Sequence, residues 1–200
     1  MPIYSQSSFD LNKVYFSDDF VCGLYNNRTW AVTGTGSATV ISDIDAYCRI
    51  RGNAANTYRF NHGNIGAYSV TNQASIIFRA SLIPGTTVGI SRLGFTGTTN
   101  PLTSGVEWLS EQGQTNFRYR SGNAGTYTTQ DSGVARDTNI HEFKIQCVSG
   151  TISFWLDSAF IGNITANITA ENLQPSAIST GSTNQSDTNI YYVEATGNRA

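Results

Sequence analysis

Charge is scarce in this chain of 200 residues: 13% are Asp, Glu, Lys or Arg, and the net charge is only −2. A basic nucleic-acid footprint is therefore absent, and so is an acidic tail. Lysine is scarcer still, two residues against ten arginines. Arginine is favoured at protein interfaces because its planar guanidinium is weakly hydrated and binds bidentately, although an arginine-rich host or chance accounts for the ratio equally well. Cysteine is limited to Cys22, Cys48 and Cys147, far apart and with no CxxC spacing. That argues against both a disulfide framework and a zinc site. Cys48 and Cys147 alternate with Ile50 and Ile145 and read as small buried hydrophobes. No stretch approaches the ~20 apolar residues of a membrane span. The start, Met-Pro-Ile-Tyr-Ser, has neither the charged n-region nor the apolar h-region of a secretory leader. The expectation is synthesis in a cytoplasm with no membrane contact. Asn-X-Ser/Thr occurs at Asn27, Asn163, Asn167 and Asn184, as chance supplies in so Asn- and Thr-rich a chain, and these sites read as unmodified.

Helical periodicity is also missing. Only the segment after Thr169, AENLQPSA, reads as a short turn of helix. What is present is a succession of strand candidates separated by Gly, Asn, Ser and Thr clusters. They are Val14–Phe20, Thr39–Ser42, Ala46–Arg51, Thr57–Phe60, Ser75–Leu82, Val88–Leu93, Val106–Ser110, Asn116–Arg120, Thr126–Thr129 and Asn189–Ala195. The stretches Asn53–Ala74, within which Thr57–Phe60 falls, and Gly94–Ser104 read as long surface loops. A dozen short strands at regular spacing predict an all-β, two-sheet antiparallel sandwich or jelly roll. At this length one domain over residues 1–200 is expected, burying about 70% of the unfolded surface without needing disulfide or metal.

The sharpest local signal is His141–Ile161. Phe143, Ile145 and Cys147 alternate with Glu142, Lys144 and Gln146, the period of a half-buried strand. Ser149-Gly150 supplies a two-residue hairpin turn. The return strand puts Ile152, Phe154 and Leu156 on the core face and Trp155 on the other. By the same alternation Ile76, Phe78, Ala80 and Leu82 point inward. Phe117 and Tyr119 oppose Asn116, Arg118 and Arg120, and Cys48 and Ile50 oppose Tyr47, Arg49 and Arg51, so outward faces repeatedly pair Arg with Tyr or Trp.

Three stretches together resemble the concanavalin A-like lectin/glucanase jelly roll. Tyr15–Phe20 (YFSDDF), followed by Trp30, is similar to the opening strand of such domains. Phe143–Ile161 resembles the hairpin whose return strand ends in a Trp-x-Asp-Gly turn, here Asp157-Ser158. Asn189–Ala195 (NIYYVEA) resembles the closing strand that pairs beside the first. The resemblance implies the fold. It does not choose a function, because this fold hosts enzymes, lectins and structural modules alike.

Catalytic constellations are thin. A glucanase on this fold would carry E-x-D-x-x-E on one strand, with nucleophile and acid about 5 Å apart. The nearest match, Glu107-Trp-Leu-Ser-Glu111, lacks the central Asp, and Gly113 puts Glu111 at a turn. A lyase would need His with a Tyr or Lys base, and His62 and His141 read as solvent-exposed or satisfied by neighbours. No G-x-S-x-G or Cys–His pair appears. Gly34-Thr-Gly36 and Gly122-Asn-Ala-Gly125 lack the Lys and helix of a phosphate loop and read as turns. Asp18-Asp19 and Asp43-Ile-Asp45 are the acidic pairs. Calcium needs six or more oxygens, and these read as surface carboxylates. No metal, cofactor or enzymatic activity is expected. Aromatic platforms for a sugar ring are available in Trp108, Trp155, Tyr119 and Tyr127, with Glu107, Arg118 and Arg120 as polar neighbours; each aromatic fits a core or interface role equally well, and Trp155 reads more as part of a second packed or intersubunit surface.

Two functions fit this reading. One is a virion structural protein, a capsid decoration (cement) protein that assembles, as a homotrimer, on a phage head through the major capsid protein or another virion protein. The other is a lectin-like glycan- or receptor-binding domain, such as a tail-fibre tip, with Gly113–Gly125 lining a shallow site.

Overall fold

A computed structural model describes residues 13–18, 30–34, 36–41, 47–52, 57–62, 68–85, 89–99, 102–181 and 186–198. In chain order its strands are β1 (Lys13–Asp18), β2 (Trp30–Gly34), β3 (Gly36–Ile41), β4 (Tyr47–Gly52) and β5 (Thr57–His62). Then come β6 (Ala74–Ile83), β7 (Gly89–Gly97), β8 (Gly105–Glu111), β9 (Asn116–Asn123) and β10 (Thr126–Ala135). The last five are β11 (His141–Val148), β12 (Thr151–Leu156), β13 (Ala159–Ile164), β14 (Leu173–Gly181) and β15 (Ser186–Asn198). They form two antiparallel sheets. The eight-stranded sheet runs β13-β12-β11-β6-β15-β4-β3, with β1 also paired to β15. The seven-stranded sheet runs β10-β9-β8-β7-β14-β5-β2. The expected all-β sandwich is what forms, and the opening and closing strands lie side by side, Phe16 opposite Ala195.

The turns follow from local chemistry. Ser149 and Gly150 both take positive φ (49° and 79°), as do Asp157 and Ser158 (48° and 67°). Two successive positive φ values match the twist of the strands they join, which makes β11-β12-β13 a tight meander. Its alternating residues fill the core: Phe143, Ile145, Cys147, Ile152 and Phe154 are fully buried, as are Ile76, Phe78, Ala80 and Leu82 of β6. Burial pushes the Cys147 thiol up to about 12, so it stays a neutral, unreactive packing group. Cys48 is also fully buried. Asp19, Cys22, Asp43 and Asp45 lie outside the described residues.

Two expectations fail in the seven-stranded sheet. The AENLQPSA stretch forms no helical turn; from Leu173 it is β14, a central strand. The Gly94–Ser104 stretch is not all loop, because β7 continues to Gly97. Both strands are buried on both faces almost throughout, so neither shows the in-out alternation that betrays a strand. Pro175 inside β14 also argues against a central strand. It is accommodated because β14 pairs with β7 over Leu173–Gly181 but with β5 only from Ser176 onward.

Among the described residues, Trp108 of β8 is the largest fully buried side chain. Its ring packs against Tyr119 (5.6 Å), Phe143 (5.6 Å) and edge-on against Phe154 (5.7 Å). Its Nε1 donates to the Lys144 carbonyl in the opposite sheet at 3.2 Å. Trp108→Ala is expected to cost about 3–5 kcal/mol in urea unfolding. Trp108→Phe should cost less, because it keeps the ring packing and loses the cross-sheet hydrogen bond.

Candidate functional site

Alternation in β8 sends Val106 and Trp108 into the core, so Glu107, Leu109 and Glu111 face out of the sandwich. Pairing then decides what gathers there. Glu107 lies opposite Gly94 of β7 and Arg120 of β9, while Leu109 lies opposite Arg92 and Arg118. On the far side of β7, Gly94 faces Ser176 of β14, Thr96 faces Gln174, and Arg92 faces Ile178.

Register therefore brings two guanidiniums onto one carboxylate. Arg120 donates from Nε (2.9 Å) and Nη2 (2.7 Å) to Glu107 Oε2, and Arg92 Nη1 reaches the same oxygen at 3.4 Å. The Arg92 and Glu107 side chains are more than nine-tenths buried. Burial works against ionisation of Glu107, but Arg92 and Arg120 outweigh it and hold the carboxyl below its usual range. Burial likewise pulls Arg92 below the ordinary guanidinium value, against the attraction of Glu107. Arginine keeps its proton in proteins, so the cluster is two cations and one anion. Beside it Arg118 Nη1 pairs with Glu111 Oε2 at 2.9 Å, half-exposed.

At the rim, Tyr127 of β10 sits opposite Gly122. Its ring lies across Gly122, where a Cβ would collide with it, and the Arg120 guanidinium stands 4.2 Å from the ring centroid. Its hydroxyl donates to the Leu102 carbonyl (2.9 Å), and 37% of the residue stays exposed.

Of the side chains read as candidates from sequence, Glu107, Arg118, Arg120 and Tyr127 thus share one face. Trp108 and Tyr119 do not. Both point into the core, which decides for the core among their readings and rules them out as sugar platforms: Tyr119 is 4% exposed, stacks on Phe154 at 4.6 Å and donates to Gln130 at 2.6 Å. Trp155 lies on the outer face of the other sheet, half-buried against Phe160 (5.7 Å), with Lys144 Nζ 5.0 Å from its ring. Sequence reading missed Arg92, Thr96, Gln174 and Ser176. Only Arg92 fell within a strand candidate, and nothing local marks it as the partner of Glu107.

The carboxylates do not form a hydrolytic pair. Glu107 and Glu111 lie four residues apart on one strand, about 13 Å at the rise of a β-strand, and each is tied to Arg. Among the described residues no group of three His, Cys, Asp or Glu side chains is placed to hold a metal.

His141 belongs to the other sheet and sits between two carboxylates, Nδ1 to Asp157 (2.6 Å) and Nε2 to Asp137 (2.9 Å), with its ring edge-on to Phe117. Burial works against its cation, but Asp157 and Asp137 outweigh it and raise its pKa above the ordinary histidine value. The stability this contributes is fully present below the unfolded value of about 6.5 and is lost as pH rises through the raised folded value. Against His141→Asn, the parent's melting advantage is expected to be largest near pH 5.5 and to shrink by pH 8.5. Because Asp137 and Asp157 are half-exposed, the difference should be about 1 kcal/mol or less.

No described protein family and no curated protein sequence matches this chain. Solved structures do. The Emp47p carbohydrate recognition domain is similar with a TM-score of 0.66 at 10% identity, over 92% of this chain and 95% of that one. A Bacteroides ovatus mixed-linkage glucan GH16 protein, solved with a product, has a TM-score of 0.64 at 11% identity, over 89% of this chain and 98% of that one. The alginate lyase AlgAT5, of polysaccharide lyase family 7, has a TM-score of 0.61 at 11% identity, over 80% and 82%. At such identities the likeness concerns fold, and the fold of this chain is the concanavalin A-like jelly roll.

Proposed function

We propose that this chain is a non-enzymatic, lectin-like saccharide-binding domain whose site is the outer face of the seven-stranded sheet. The observation that carries the reading is the Arg92–Glu107–Arg120 cluster beside the partly bare ring of Tyr127. A buried ion cluster of this kind is a poor way to stabilise a fold, since well-packed apolar residues usually do as well or better. It is a good way to hold guanidinium forks in fixed directions, and a half-exposed aromatic ring next to them offers a face for a pyranose. The carbohydrate ligands named for the structural neighbours favour the same class of ligand here. Against catalysis stand the separation of Glu107 from Glu111 and the two arginines that keep Glu107 from serving as a general acid.

The test is a glycan array followed by calorimetry on the hits. Tyr127→Ala is expected to weaken saccharide binding about tenfold, near 1.4 kcal/mol, with an unchanged circular dichroism spectrum. An array without hits would remove the reading.

A second reading, a decoration protein on a virion surface, rests on the other sheet. There Phe160 is 57% exposed beside Trp155 and Lys144, and half-buried Ile77 lies opposite Lys144. A partner such as a capsid protein or a second copy of the chain would cover this stripe. Sedimentation at micromolar concentration is expected to give a trimer that Phe160→Asp dissociates. A monomer without affinity for any capsid would end it.

A further inference from the structure

The outer face of the eight-stranded sheet dips beyond the Trp155–Phe160 stripe, at the end where β6 begins and β15 closes. Pairing sets Gln146 of β11 opposite Ser75 of β6, and Ser75 opposite Thr196 of β15. Alternation turns all three outward, because the residues on either side of each in its own strand are buried. Neighbouring strands lie about 4.8 Å apart, so the three form one row across the sheet, about 10 Å from end to end. Ser75 and Thr196 are short, and they leave a cavity of about 240 Å³ whose walls include Gln73, Gln146, Val148 and Asn198.

The lining decides what the cavity takes. Among the described residues it holds no Asp, Glu, Lys, Arg or His, and the adjacent row, Lys144 and Glu194 either side of Ile77, carries opposite signs. An ionic ligand would find no counter-charge there, so the ligand is uncharged. The side chains of Ser75, Gln146 and Thr196 make no hydrogen bond with another described residue, which leaves hydroxyls and a carboxamide that both donate and accept. Gln73 Oε1 accepts from Asn198 Nδ2 at 3.4 Å, so the Gln73 amide keeps its two N–H donors for a ligand. Gln73 also holds φ at 56°, in the left-handed region where glycine would sit without strain. A glutamine kept there against its backbone preference points to a use for its side chain. Val148, 39% exposed, adds an apolar wall. Donors and acceptors around one apolar contact match the hydroxyls and C–H face of a sugar, and a volume below the usual ~300–1,000 Å³ of ligand pockets limits the occupant to a single ring. We propose that this depression is a second saccharide site that seats one uncharged sugar ring, so that one chain engages a glycan on each outer face. The proposal rests on the saccharide-binding reading for its ligand class and shares no residue with the site at Tyr127.

Amide NMR of the isotope-labelled whole chain, titrated with the methyl glycosides of mannose, galactose, glucose and N-acetylglucosamine, tests this. One of them is expected to shift the side-chain amides of Gln73 and Gln146, and to do so equally in Tyr127→Ala. Ser75→Leu, which fills the depression, should weaken that binding at least about tenfold. Gln73→Gly should weaken it at least about threefold, with a melting temperature equal or higher because the left-handed strain is gone. Methyl glucuronide binding as tightly as the neutral glycosides would overturn the uncharged assignment. Shifts confined to residues around Tyr127 would overturn the second site and leave the first standing. Binding untouched by Ser75→Leu, or no shift at Gln73 and Gln146 with any of the four, would also overturn it, and the glycan array then decides the site at Tyr127 by itself.

Discussion

The rest of the molecule depends on the contact that Trp108 makes across the sandwich. Its indole leaves the seven-stranded sheet, packs among Tyr119, Phe143 and Phe154, and donates to a main-chain carbonyl of the eight-stranded sheet. Dispersion and area burial alone would tolerate sliding of one sheet over the other. A directional bond at the centre of the aromatic cluster fixes their relative position. It also fixes which face of β8 is inner, and so obliges Glu107 and Glu111 to point out.

That orientation creates the feature most in need of explanation. An ionised Glu107 with Arg92 and Arg120 is buried on a sheet face, where desolvation offsets much of the Coulombic gain. The two arginines restrain each other through a single oxygen, so neither is free to rotate. Preorganised donors of this kind lose little entropy on meeting a ligand.

The two outer faces differ in kind. On the seven-stranded sheet the polar groups are buried and oriented, with one aromatic ring at the rim. On the eight-stranded sheet Trp155, Phe160 and Ile77 form a stripe with a lysine across it and the Arg79, Arg49 and Arg51 rows beyond. Arg51 is already engaged with Asp187 in a two-point pair at 2.7 Å. Oriented, desolvated donors suit a small polar ligand, whereas a broad amphipathic stripe suits a protein surface.

The sequence by itself determined the local geometry wherever one side of a strand met solvent. The β11-β12 hairpin, its Ser149-Gly150 turn, the Asp157-Ser158 turn, and the inward rows of β4 and β6 were all legible, because alternation and turn chemistry are short-range properties. The tertiary structure decided what lay beyond that range. β14 with its proline and the end of β7 are covered on both faces, which erases alternation. The inward turn of Trp108 was hidden in the same way, since Val106, Glu107, Trp108 and Leu109 are all buried. The cluster of Arg92, Glu107 and Arg120 draws on three strands spread over 29 positions of the chain. Only strand register brings them together, and a shift of one residue would turn each of these side chains to the opposite face.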